Sequence, residues 1–349
     1  MALDIAGRYR YPAPDLAWLD RHREPIIEPD LPIVDAHHHI WNEPGKTYLL
    51  DDLLQDLDSG HRIAATVFAQ CHYAYRGQGP EHLRPVGETE AIEAVRREAL
   101  LRRPEFHACA GIIGFADLLV EEALLAELLE AHLTASPDHF RGVRQSVARD
   151  RHFPDGIVLR PAAAGMLADK RFRRGLGQVA ARGLSFDILL YHEQIPELTT
   201  LARSVEDATI ILDHYGCPLG VGHYRSRTKE TFEQWRADIV QLAACANVHL
   251  KLGGLGMIIT GAEHHLAAAP PSSVELARAW RPYVETAIKA FGTQRCVFES
   301  NFPVDKAMFS YAVLWNAFKR LSSGASASER ADLFRNNAVR LYRLAISGD

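Results

Sequence analysis

The octapeptide VDAHHHIW, Val34 to Trp41, places three imidazoles in succession on an apolar stretch. On an extended chain alternate side chains share a face, so His37 and His39 point to one side and His38 to the other. Neutral imidazole is the commonest side-chain metal ligand, and an HxH pair on a strand aims two of them at one point. A third could come from His214 in ILDHYG or from His192 in LLYHEQ. Three imidazoles with an open position would bind one divalent cation, zinc or manganese, which polarises a carbonyl and acidifies a bound water. The metal set read from the sequence is His37, His39 and His214, with His38 as a structural residue.

Glu299, Asn301 and Asp305 lie together in VFESNFPVD. A carboxylate near the histidines is the natural base for a water, and Glu299 is the nearest candidate. Asn301 cannot take a proton, but it can orient a water or hydrogen-bond a carbonyl. Arg144, in FRGVRQSV, needs an anionic partner if it lies inside a protein wall. That partner is either a carboxylate such as Asp213 or Glu299, or a substrate carboxylate gripped by the guanidinium fork, and the substrate is preferred. Gln70, His72, His192, Tyr224 and Arg225 complete the substrate-binding candidates, although Arg225 and Arg227 taken singly read as solvated surface.

These residues are scattered over more than two hundred positions, so a regular frame must bring them together. Short apolar runs alternate with segments of helical period, which predicts βα units and a parallel sheet. The expected strands are Ile33–Ile40, Ala65–Gln70, Ala108–Gly114, Gly142–Val147, Leu184–Leu190, Thr209–Asp213, Val248–Leu252 and Cys296–Glu299. Helices are expected over Glu88–Arg103, Leu118–His132, Arg171–Arg182, Thr231–Ala246, Ser273–Phe291 and Ser328–Leu344. Eight such repeats point to a (β/α)8 TIM-type barrel at residues 33–349, preceded by an N-terminal arm at residues 1–32. A doubly wound open sheet is the rival, weakened by the lack of GxGxxG after the first strand. Active sites of such barrels lie at the C-terminal strand ends, where the polar candidates fall. Three long connections, Cys71–Gly87, Tyr215–Lys229 and Gly253–Pro271, are expected to cover the substrate.

The 349 residues are 47% hydrophobic and 24% charged, the values of a globular chain. A net charge of -5 without like-charge runs offers no footprint for nucleic acid or an anionic membrane, which leaves a small molecule as the partner. Five scattered cysteines without a CxxC pair argue against a disulfide framework or a thiolate zinc site. The first residues, MALDIAGRYRYPAPD, lack the continuous apolar core of a signal peptide and no later segment has the length of a membrane span, so a cytoplasmic protein is expected. The proline-rich arm Arg8–Pro32 carries Tyr9, Tyr11 and Trp18 and is expected to pack across the barrel floor, with a contact in a homo-oligomer as the alternative.

The motifs IVDAHHHIW, ILDHYGCP and VFESNFP occur in this order over nearly the whole chain and resemble the amidohydrolase superfamily. Within it they look most like the amidohydrolase-2 group that includes sugar lactonases and 2-pyrone-4,6-dicarboxylate lactonase. The resemblance implies a (β/α)8 barrel, a cytosolic enzyme and hydrolysis of carboxylated or sugar-derived lactones. By position, His37 and His39 match the family's HxH and His214 its sixth-strand histidine. Two departures stand out. The family commonly reads SD(W/F)P after strand eight, its aspartate ligating metal and taking the water's proton; here Asn301 stands at that position. Strand four offers Arg144 and no lysine for a bridging carbamate, so at most one metal is expected.

The expected reaction is therefore the opening of a small lactone or related cyclic ester, whose electrophilic carbonyl needs polarising more than it needs a strong base. Metal-free operation with a histidine as base is a variant of this reading. The alternatives are a decarboxylase or lyase acting on an aromatic acid, and a catalytically degenerate small-molecule binder.

Overall fold

The computed structural model describes residues 9–43, 46–158 and 161–346. Eight parallel strands follow one another in sequence order: β1 (Ile33–His38), β2 (Ile63–Ala69), β3 (His107–Phe115), β4 (Phe140–Ser146), β5 (Ser185–Leu189), β6 (Ile210–Leu212), β7 (Val248–Leu252) and β8 (Cys296–Phe298). Just past β8, Asn301 N donates to His37 O at 2.9 Å and His39 N to Phe302 O at 2.7 Å. A parallel bridge between His38 and Phe302 thus joins the last strand's continuation to the first and closes a (β/α)8 barrel. Every residue of β1, β5, β6 and β8 is buried, as strands covered on both faces must be. A short hairpin, Trp41–Glu43 with Lys46–Tyr48, follows β1.

Helices α1 (Leu50–Leu57), α2 (Val86–Arg102), α3 (Glu122–Ala135), α4 (Lys170–Ala181), α5 (Ile195–Ser204), α6 (Thr228–Ala243), α7 (Ser273–Phe291) and α8 (Tyr311–Leu321) alternate with the strands. Several start where a side chain satisfies free N–H groups. Asp169 caps α4, Ser310 caps α8, and Ser272 with Glu275 forms a capping box on α7. Helices α1, α5 and α8 are additional to those expected from the sequence. The C-terminal helix expected over Ser328–Leu344 is instead Ala327–Ala331 and Asn337–Tyr342, joined by a wide turn at Asp332–Asn336. Asn337 Nδ2 donates to Thr293 O and Cys296 O at 2.7 and 2.6 Å, and these tertiary bonds anchor the chain where the wide turn ends.

The barrel floor is taken by this C-terminal segment: Ala338, Leu341, Tyr342 and Leu344 pack with the inward residues Val34, Ala65, Val67, Ile113, Ile211 and Val297. The arm therefore does not cross the floor, contrary to the expectation above. Its described part starts, at Tyr9, on the opposite, catalytic end. Tyr9 N donates to Ile157 O at 2.7 Å and its ring meets Phe153, both in the connection after β4. Tyr11 reaches Met257 and the Trp18 indole donates to Ala267 O at 2.9 Å, both in the connection after β7. The arm then descends beside α7 and α8, where Glu24 meets Ser273 and Asn316, and Lys319 donates to Ile27 O and Glu28 O.

Candidate active site

The end of β1 delivers the two histidines as the alternation requires. His37 is fully buried and His39 nearly so, with their Nε2 atoms 3.1 Å apart. The Nδ1 of His39 donates to Ala69 O at 2.8 Å, which fixes its tautomer and leaves Nε2 with a lone pair. His38 turns away, its Nε2 2.8 Å from Thr66 Oγ1 in the barrel wall, a structural residue.

His214 follows β6 with φ +52, in the left-handed region, and neighbouring Tyr215 at +57 shares that strain. The backbone there is held against Gly254, which also has a positive φ; a Cβ on Gly254 would lie 2.7 Å from His214 Cγ. Gly253 packs likewise on Glu299, and a Cβ there would fall 2.3 Å from its Cγ. The glycine pair after β7 thus lets His214 and Glu299 come together: His214 Nδ1 donates to Glu299 Oε1 at 2.6 Å. Glu299 Oε2 lies 3.2 Å from His37 Nδ1 and makes no hydrogen bond. Donor atoms of His37, His214 and Glu299 all lie within 4.8 Å of one another.

Beneath this cluster sits a buried ionic layer. Lys251 Nζ lies 2.6 Å from Asp187 Oδ2, 3.1 Å from Asp213 Oδ1 and 3.0 Å from His37 Nδ1. Asp187 also accepts from the hydroxyl of Tyr342 on the floor at 2.7 Å. Arg144 Nε donates to Asp213 Oδ2 at 2.7 Å, and Nη1 to Gln70 O and Oε1 at 3.1 and 3.3 Å. Burial pushes the Asp213 carboxyl up, but Lys251 and Arg144 outweigh it and hold Asp213 well below the ordinary range. Burial, then the charge of Lys251, holds His37 well below the usual imidazole range; burial and Arg144 do the same for His39. Both rings are neutral, as metal ligands and hydrogen-bond relays need.

Of the substrate-binding candidates, Gln70, His72 and Arg144 are joined, Gln70 Nε2 lying 3.3 Å from His72 Nε2. Arg144 pairs with Asp213, not with a free fork aimed at substrate: two of its three nitrogens are spent on protein. His192 and Tyr224 form a separate group, their rings 5.1 Å apart and Tyr224 donating to Asp150 Oδ2 at 2.6 Å. Arg225 is 55% exposed in its side chain and paired with Glu263. Asn301 is turned by a φ of +55, so its Nδ2 donates to Asp305 Oδ1 at 3.0 Å. Strand β8 ends at Phe298, so strand alternation does not run on to Glu299 and Asn301.

The sequence reading counts Lys251 among the polar strand-end residues without a role, and does not single out Asp187 or Glu88. The first two had a signal: opposite charges inside otherwise apolar strands, SFDIL and VHLKL, must find each other or another partner. Glu88, at the start of α2, accepts from the N–H groups of Cys71 and Tyr73 at 2.9 and 2.8 Å and so pins the loop that carries His72. Burial pushes its carboxyl from 4.5 to about 7 despite those donors. The folded state holds this proton up to about pH 7 while the unfolded chain releases it near 4.5, so stability falls as pH rises through that window. A Glu88→Gln variant should gain on the wild type in urea midpoint as pH rises from about 4.5 to about 7. A constant difference across that range would show Glu88 to be ionised throughout.

The amidohydrolase family model matches residues 34–344, nearly the whole barrel. The chain belongs to the amidohydrolase family. The Sinorhizobium fredii protein y4mH is 32% identical over 338 residues, covering 90% of this amidohydrolase and 99% of that protein. An L-fucono-1,5-lactonase from Burkholderia multivorans is 27% identical, covering 90% of this chain and 97% of its own. Among solved structures, a zinc-bound Burkholderia multivorans amidohydrolase superposes with a TM-score of 0.67 at 22% identity, over 89% of this chain and 99% of the other. The barrel is thus that of a hydrolase enzyme, and its closing contact between β1 and the β8 continuation places the HxH pair beside the SNFP turn. Among the described residues no helix is long and apolar enough to cross a membrane.

Proposed function

We propose that this amidohydrolase opens a small oxygen-rich lactone by water attack, with His214 as the base and one divalent ion at the HxH pair. The observation that carries the reading is the Glu299–His214 pair, 2.6 Å apart, beside the facing imidazoles of His37 and His39. Curated relatives named L-fucono-1,5-lactonase support the substrate class.

The donor set fits an ion. Two imidazole nitrogens 3.1 Å apart are spaced as on one zinc-type cation, where each bond is about 2.0–2.1 Å, and the unpartnered Glu299 Oε2 lies 3.2 Å from Nδ1 on the other edge of the His37 ring. His37 and His39 would hold it, and it would polarise the lactone carbonyl and acidify water there. Lys251 already supplies a cation on the other side of His37, consistent with a single ion.

The chain's own groups do the rest. Glu299 accepts the Nδ1 proton of His214, so Nε2 is the basic atom, and it takes the proton of the attacking water. His214 then returns that proton to the ring oxygen that leaves as the ester opens. Arg144, held by Asp213 and Gln70, keeps Nη2 for a substrate oxygen. Asn301, tied to Asp305, replaces the family's acidic base with a neutral group, which is why the base moves to His214.

The test is metal analysis with turnover of L-fucono-1,5-lactone, D-gluconolactone and δ-valerolactone, with 2,6-dihydroxybenzoate as a decarboxylation substrate. Ring opening, with an ion lost in His37→Ala and His39→Ala but retained in His214→Ala, is expected. Carbon dioxide from the aromatic acid, or no product from any of them, would overturn the reading.

A further inference from the structure

The family match begins at residue 34, so the arm that crosses the catalytic end is outside it. Among the arm's described residues Tyr11 reaches the connection after β7. Its hydroxyl donates to Met257 Sδ at 3.7 Å, in the connection after β7. It lies within electrostatic reach of Arg144 at β4, Tyr191 after β5, Cys217 after β6 and Asp305 after β8. With Tyr9 held on the connection after β4 and Tyr11 and Trp18 on the connection after β7, the arm carries this phenol across the barrel mouth.

Two features make that hydroxyl more than packing. A thioether is a weak acceptor, so a strong O–H donor is spent on a poor partner. Its burial, with Tyr191 and Cys217 nearby, holds the phenol well above its ordinary range, so it remains a donor and not a base. The arm is also fixed on both sides of Tyr11, by Tyr9 on Ile157 and Trp18 on Ala267, in two different connections.

We propose that Tyr11 is a specificity-determining residue, its hydroxyl turning from Met257 to donate to a ring hydroxyl or carboxylate of the substrate while its ring roofs the mouth. The proposal rests on the lactone reading for the substrate's chemistry and on the arm alone for the roof. A site that offers a half-buried donor at its mouth favours ligands that accept it and discriminates against those that do not.

Two measurements test it on the full chain. The Tyr11→Phe variant, which keeps the ring, is expected to lose about tenfold in kcat/KM on D-gluconolactone, the worth of one neutral hydrogen bond, and little on unsubstituted δ-valerolactone. The Tyr11→Gly variant should speed iodoacetamide labelling of buried Cys217, read peptide by peptide, while buried Cys109, Cys245 and Cys296 keep their wild-type rates as controls of folding. Equal losses on both lactones, or unchanged labelling of Cys217, would overturn the proposal. A wild type that opens neither lactone defeats the hydrolase reading alone, and the labelling then decides whether Tyr11 closes the mouth.

Discussion

Glu299→Gln is expected to lower kcat on any lactone that the wild type opens by about a thousandfold or more, while leaving the fold and the ion at His37 and His39 in place. The side chain is fully buried, and its Oε1 is the acceptor of the His214 Nδ1 proton at 2.6 Å. An amide of the same shape meets that nitrogen either through its carbonyl, which is neutral and no longer stabilises the imidazolium, or through its NH2 group, which moves the His214 proton to Nε2. In the first case the base loses its counter-charge, and in the second the ring is in the wrong tautomer to accept a proton from water. Glu299 is a positioning residue, and the prediction has a readout that a merely structural role would not move. His214→Ala and the double variant should each be about as slow as Glu299→Gln, since groups that act as a unit are not additive. Additive losses, or a Glu299→Gln variant near wild-type kcat, would remove His214 from the role of base.

The largest effect on stability is expected at Lys251. Its ammonium is fully buried between Asp187, Asp213 and His37. Burial alone would lower its pKa, yet Asp187 and Asp213 outweigh burial and hold it well above the ordinary value, so it is charged at any working pH. Replacing it by methionine removes the cation and leaves two buried carboxylates with Arg144 as their remaining close cation. Breaking a buried ion pair by removing one partner costs about 3–5 kcal/mol, and Lys251→Met should lose that much in urea unfolding. A second change, Asp187→Leu, removes the carboxylate that Lys251 leaves behind and should recover part of the loss, although it also orphans the Tyr342 hydroxyl. A Lys251→Met variant within about 1 kcal/mol of wild type would mean that the layer relaxes or takes up water.

The barrel and its chemistry were legible in the chain to different depths. Eight apolar runs at βα spacing gave the strand order, because a strand buried on both faces has no freedom to be polar. The alternation in VDAHHHIW separated His37 and His39 from His38 for the same local reason: side-chain direction on a strand is set by the pleat. The resemblance in three motifs placed His214 and pointed to the exchange of an aspartate for Asn301.

Local pattern thus carries the frame and the set of groups brought to its mouth. Which of them touch was settled when the barrel closed. Glu299 backs His214 because Gly253 and Gly254, on a neighbouring strand end, leave room for the contact. Arg144 and Lys251 are committed to Asp213 and Asp187 because charges in a closed barrel must be matched across it, between strands far apart in the chain. The C-terminal segment fills the floor, and the arm meets the connections after β4 and β7 at the mouth, two placements set by contacts between parts of the chain far apart in sequence. Local pattern carries no record of such choices, since each depends on partners brought near only when the barrel closes.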